Sequence, residues 1–403
     1  MVTTKTSITT PAPAAPRQRL RDAVPGIYLG IWPTGPKNSI TDVPGVLAST
    51  VEIKDEKRGV FTGLTTILPR HNWYESGCYA GLFRFNGAGD LTGSHFIEES
   101  GKVASPIVIT NSLAVGAAYQ GLLEYWVAHH GNPDMGIGYF SVPIVAETFD
   151  GHLNNLAAFA VQTSHVAEGI RTASADPVPE GNHGGGTGMI SLGHKGGTGS
   201  SSRVVAGVTP GSKYTVAALV QANFGSLRNL TISGVPYGRL LVAEREAAKK
   251  PPVAADKAKE ERDGSIIVIL ATDAPLHPRQ CERLAKRATV GVARAGGYGQ
   301  NPSGDIFLAF STANHVPVQK FDRGDDKADE NTNIDPFKPL VHSVDVVNDE
   351  SINGLFEAAA DATEEAIYNA LCMAETLTGF QGHTIEALDL EKLRRVMEKH
   401  MVK

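Results

Sequence analysis

The stretch "DGSIIVILATDAPL" (263–276) decides how this chain is read. A Gly-Ser pair, Gly264-Ser265, stands directly before an apolar run. The β-branched content and length of "SIIVILAT" (265–272) predict a buried strand. Upstream lies "EREAAKKPPVAADKAKEERD" (244–263), a charged, protease-accessible type of linker. Gly-Ser pairs begin at five positions (93, 199, 211, 225 and 264), and four of them sit in glycine-rich or turn-like surroundings. Only Gly264-Ser265 joins a linker to a strand. A break there would make Ser265 a new N-terminus on a rigid strand, with hydroxyl and α-amine side by side. An α-amine has a pKa of about 7.7–8.0, so a fair share is neutral near pH 7 and can act as base. Nucleophile and activator would then come from one residue. Glycine before the bond leaves its carbonyl unhindered by a Cβ.

Working outward, 403 residues suffice for a large core, and 41% hydrophobic residues is ordinary for a globular chain. A net charge of −6 with interspersed signs gives no reason to expect nucleic acid or an anionic membrane as partner. No run approaches the length of a membrane span. Cys78, Cys281 and Cys372 are far apart, which favours a reducing compartment over a disulfide framework. The first 25 residues lack an apolar signal core and read as a flexible arm, so a cytoplasmic location is expected.

Short apolar runs at 63–68, 106–110 and 214–223 read as strands, and 111–131 as a helix. After the charged linker the pattern resets. A helix is expected over 277–296, a strand over 305–312 and an acidic surface loop over 321–336. Two closing helices are expected at 352–378 and 389–400. Sheets inside and helices outside follow from this alternation.

Other chemistries fit less well. "GMISLGHK" (188–195) puts His194 where a P-loop needs lysine, and the glycines of 180–199 are better explained by close backbone approach. There is no HExxH and no Cys/His cluster at ligand spacing, so no metal is expected. No serine has glycine at both −2 and +2, which removes the nucleophile elbow.

Seven segments run in order along the chain: "NSITDVPGV" (38–46), "NGAGDLTG" (86–93), "VPIVAETFDGHLNN" (142–155), "EGNHGGGTGMISLGHKGGTGSSSR" (180–203), "VQANFG" (220–225), "DGSIIVILATDAPL" (263–276) and "NPSGDIFLAFSTAN" (301–314). Together they resemble the self-processing aminopeptidases, the L-aminopeptidase/D-amidase-esterases and β-peptidyl aminopeptidases. The resemblance implies a four-layer αββα sandwich, like the N-terminal-nucleophile hydrolases in layering but different in connectivity. It implies self-cleavage at Gly264–Ser265. Residues 26–264, ending in the linker 244–263, would be an α chain, and 265–403 a β chain of the same domain. It gives Ser265 as nucleophile, Asn223 as oxyanion donor, and Ser303 and Asp305 as the Ser-x-acid pair beside it. Glu147 would receive the substrate's free amine. Phe149 stands where some members carry tyrosine, so a phenol donor is missing there. No cofactor is implied. The expected partners are small peptides, amino-acid amides or esters, and further copies of the chain, as a tetramer of αβ units. An acyltransferase on the same scaffold and a non-catalytic peptide or amino-acid binder are the competing readings.

Overall fold

The computed structural model describes residues 16–131, 136, 138–254, 264–320, 334–335 and 337–402. Ten strands form two sheets: β1 (Leu47–Asp55), β2 (Val60–Leu68), β3 (Ser76–Arg84), β4 (Lys102–Val103), β5 (Ile107–Asn111), β6 (Ile144–Thr148), β7 (Gly197–Ala206), β8 (Lys213–Ala222), β9 (Ile266–Thr272) and β10 (Asp305–Pro317). One sheet has the order β1-β2-β5-β6, the other β4-β3-β10-β9-β8-β7.

Alternation along the strands builds the layers. In β9, Ile267, Ile269 and Ala271 join β10's Ile306, Leu308 and Phe310 in a core shared with Ile107, Ile109 and Ile144 of the other sheet. The intervening Ile266, Val268 and Leu270 face the opposite way. They share a core with helices α3 (Tyr237–Ala247), α4 (Pro278–Ala285), α5 (Ala288–Ala295) and α6 (Asn353–Met373). On the far side, α1 (Val115–His130) and α2 (Thr163–Thr172) cover Leu64, Val108 and Val145. The result is the expected αββα sandwich. Buried on both faces, β9 reads as a continuous apolar run for that reason.

Two expected helices differ. The helix over 277–296 is interrupted at Lys286 and Arg287, where bonds such as Arg287 N to Leu284 O span three residues. The break lets α4 lie against β3 while α5 packs on α6. The helix expected to reach 378 ends at Met373, because Leu377–Thr378 pairs with Thr384–Ile385. Of the expected arm, residues 1–15 lie outside the described residues. From Arg17 the chain is docked: Arg17 donates to the carbonyls of Leu371 and Leu388, and Arg21 pairs with Glu365. Residues 255–263 of the linker and 321–333 and 336 of the acidic loop also lie outside the described residues. No helix of the described residues is long and apolar enough to cross a membrane.

Arg203 on β7 is fully buried and bonds Glu365 of α6 at 2.7 Å. Glu365 keeps a second cation in Arg21, so removing Arg203 weakens this buried network without stranding the carboxylate. Arg203→Met is expected to cost about 1–3 kcal/mol, read as a lower denaturant midpoint at unchanged slope.

Candidate active site

Parallel pairing of β9 with β10 sets Ile266 opposite Asp305, so the residues just before both strands share one sheet end. Antiparallel pairing sets Ala222, the last residue of β8, opposite Ile266, and Asn223 follows at the same end. In the four-stranded sheet, Glu147 lies at the C-terminal end of β6, beside Thr110 of β5. Gln221 pins the two sheets there, donating to Thr110 O at 2.9 Å and Thr148 Oγ1 at 2.8 Å. All five expected polar site residues are buried, none more than 7% exposed.

Around the Gly264–Ser265 bond the contacts are dense. Gly304 N–H donates to Ser265 Oγ at 3.0 Å, and Asn223 N–H donates to Ser265 O at 3.1 Å. Ser303 Oγ donates to the Gly264 carbonyl and lies 2.6 Å from Asp305 Oδ1. A hydroxyl has one hydrogen. Its two acceptors therefore let Ser303 alternate between polarising the carbonyl and bonding the carboxyl. Asp305 Oδ1 also accepts from Ile266 N–H at 3.2 Å, and Oδ2 from Asn86 Nδ2 at 3.1 Å. Asn86 returns a bond by accepting from Asp305 N–H at 2.5 Å. These bonds hold the carboxyl in place.

Glu147 reaches the same place through glycine packing. Gly89 lies so close to Gly304 that a Cβ on either would come within 3 Å of the other's backbone. The same Cβ on Gly89 would be 3.3 Å from Glu147 Oε1. Glu147 accepts from Asp90 N–H at 3.1 Å and from the Ser112 hydroxyl. Burial pushes its carboxyl above the usual range, against the pull of those two donors.

Asn223 is held at both ends. Its Nδ2 donates to Phe149 O at 2.8 Å, and its Oδ1 accepts from Ile190 N–H at 2.9 Å. Phe149 thus brings its carbonyl to the site, while its ring packs over Gly151. The structure gathers Ser265, Asn223, Ser303 and Asp305 around one bond and brings Glu147 alongside. Sequence reasoning assigned no role to Asn86, Ser112, Gln221 or Gly304. Three of these lie inside the quoted segments 86–93, 220–225 and 301–314, so the signal was present there.

A buried serine hydroxyl, a carbonyl polarised by a second serine, and a fixed carboxyl are what acyl transfer needs. The sequence model of peptidase family S58 matches residues 38–385. The chain belongs to peptidase family S58. The β-peptidyl aminopeptidase BapA of Sphingosinicella microcystinivorans is 40% identical over 376 residues, covering 91% of this chain and 89% of the relative. The β-aminopeptidase of a Burkholderia species superposes with a TM-score of 0.81 at 38% identity, covering 96% of this chain and 100% of that one. The L-aminopeptidase D-Ala-esterase/amidase of Ochrobactrum anthropi, described as a variant of the Ntn hydrolase fold, gives 0.80 at 39% identity, covering 94% and 98%.

Proposed function

We propose that this S58 enzyme is a serine aminopeptidase and amidase-esterase that cuts its own Gly264–Ser265 bond. It then releases N-terminal residues from small peptides, amides or esters. The observation that carries this reading is the Ser265 hydroxyl, buried and bonded by Gly304 N–H, on the residue after a glycine whose carbonyl Ser303 polarises.

In the intact chain Ser265 Oγ attacks the Gly264 carbonyl carbon. The hydroxyl proton passes toward the Ser303–Asp305 pair, and the negative charge on the former carbonyl oxygen meets the Ser303 hydroxyl. The Ser303–Asp305 pair passes that proton on to the nitrogen, the C–N bond breaks, the nitrogen leaves as the Ser265 amine, and an ester joins Gly264 to Ser265 Oγ. Water hydrolyses the ester, leaving a Gly264 carboxylate and a free Ser265.

The new α-amine then serves as base for the same hydroxyl. A substrate's ammonium docks on Glu147, its carbonyl lies under Asn223, and an acyl-enzyme forms on Ser265. A preorganised oxyanion donor of this type is worth about 3–4 kcal/mol. Glu147 explains the demand for a free amine, because a buried carboxylate left without its cation is costly. The names of the relatives support β-residues as well as α-residues as substrates.

Mass spectrometry of the purified protein tests the first step: two species meeting between Gly264 and Ser265 are expected. An intact chain that also leaves amino-acid amides untouched would refute the proposal. The Ser112 hydroxyl orients the Glu147 carboxylate. Ser112→Ala is expected to raise KM for a free-amine amide about tenfold with kcat nearly unchanged, and Ser112→Thr to restore it. Steady-state kinetics of the two variants check this.

A further inference from the structure

The glycine-rich segment 180–199 buries a lysine that the reaction does not use. Lys195 is fully buried, and its Nζ donates to Gly196 O at 2.8 Å and Gly186 O at 3.1 Å. Burying an ammonium is expensive, and an apolar side chain of similar size often serves stability as well or better. A buried cation gripped by two backbone carbonyls therefore points to a geometry it enforces.

Its opposite charge is Asp150. The loop lies directly on that residue, since a Cβ on Gly188 would be 2.9 Å from Asp150 Cβ. Asp150 is buried and accepts from Thr62 Oγ1 at 2.6 Å and Asn154 Nδ2 at 3.0 Å. Burial pulls the Lys195 ammonium down to about 7, with Asp150 opposing that shift. Burial pushes Asp150 up to about 7, opposed by Thr62, Asn154 and Lys195.

The segments that carry Lys195 and Asp150 converge on Asn223. The Asn223 Nδ2 donates to the carbonyl of Phe149, the residue before Asp150. Its Oδ1 accepts from Ile190, in the hairpin where Ile190–Ser191 pairs with His194–Lys195. Gly196 N–H closes that hairpin on Met189 O at 2.9 Å. One grip on the amide thus belongs to the Asp150 segment and the other to the Lys195 hairpin.

We propose that Lys195, with Asp150 as its counter-charge at longer range, is a positioning residue that fixes the side-chain amide of Asn223 where the oxyanion forms. This rests on the reading of Asn223 as oxyanion donor. Lys195 acts through Asn223 and stabilises no charge of the reaction itself.

A double-mutant cycle on an amino-acid nitroanilide tests it, with kcat referred to the cleaved fraction measured by mass spectrometry. Asn223→Ala is expected to lower kcat about 100-fold or more. Lys195→Met should lower kcat about 10- to 100-fold with KM within about twofold. In the Asn223→Ala background it should lower kcat no further. The self-cleavage rate is put through the same cycle and is expected to show the same non-additivity. Wild-type kcat in Lys195→Met overturns the proposal. So does an equal loss in both backgrounds, which marks a general defect of the fold. The underlying reading fails separately, and visibly, when Asn223→Ala alone keeps kcat. Where Lys195→Met does not fold, Asp150→Asn, nearly identical in volume, enters the same cycle under the same criteria.

Discussion

Ser265→Ala is expected to yield a single 403-residue chain that turns over no amide, and the wild type is expected to yield two pieces. The substitution deletes one oxygen from a buried site. Its cost to the fold is the Gly304 N–H that loses its acceptor, about 1–3 kcal/mol. The fold should therefore persist while chemistry stops, with turnover down on the order of 10⁴- to 10⁶-fold by analogy with other nucleophile deletions. Intact mass and an amide assay on the same sample read both effects. An alanine variant that still splits, or still hydrolyses substrate at more than a trace, would remove Ser265 from the mechanism.

Glu147→Gln should produce the second large effect. The amide keeps the size of the carboxylate but gives the substrate ammonium no charge to meet. Stranding a buried ion in this way costs about 3–5 kcal/mol, so kcat/KM on free-amine substrates should fall by on the order of 100- to 5000-fold. Discrimination against N-acetylated substrates should fall with it. Burial raises the Glu147 carboxyl above 4.5, the Ser112 and Asp90 donors pull it back, and the nearby Asp90 charge adds to the rise. The sign follows: only the ionised form holds an ammonium. In the wild type, kcat/KM should therefore drop on acidification through a pH above 4.5, and the Gln variant should lack that acid limb. A pH profile of kcat/KM for both proteins checks it. An unchanged acid limb in the variant would assign it to another group.

Much of this is legible in the amino-acid sequence. The run at 265–272 is apolar on both faces, and β9 lies between two strands and between two packed layers, so length and β-branching sufficed. Strands β1, β3, β6 and β7 were less visible. β7 carries three consecutive serines, all fully buried, whose hydroxyls are satisfied by partners such as Ala218 O, Asn38 Oδ1 and Asp42 Oδ2. A polar strand satisfied by distant residues leaves no hydrophobic period to read. Within the site, side chains with strong chemistry stood out, while Gly304 and Phe149 act through main-chain atoms that every residue possesses. Gln221 was missed because its function, bridging two sheets, exists only once both sheets do.

The middle of the six-stranded sheet is occupied by β9 and β10, flanked on either side by strands that precede Gly264. A nick before β9 would therefore sever the polypeptide without loosening it. Each piece on its own would present raw, hydrogen-bond-hungry edges: the first piece two separated pairs of strands, the second a lone pair. The halves should co-purify until denaturant melts them together in one transition, and neither should refold unaided by the other.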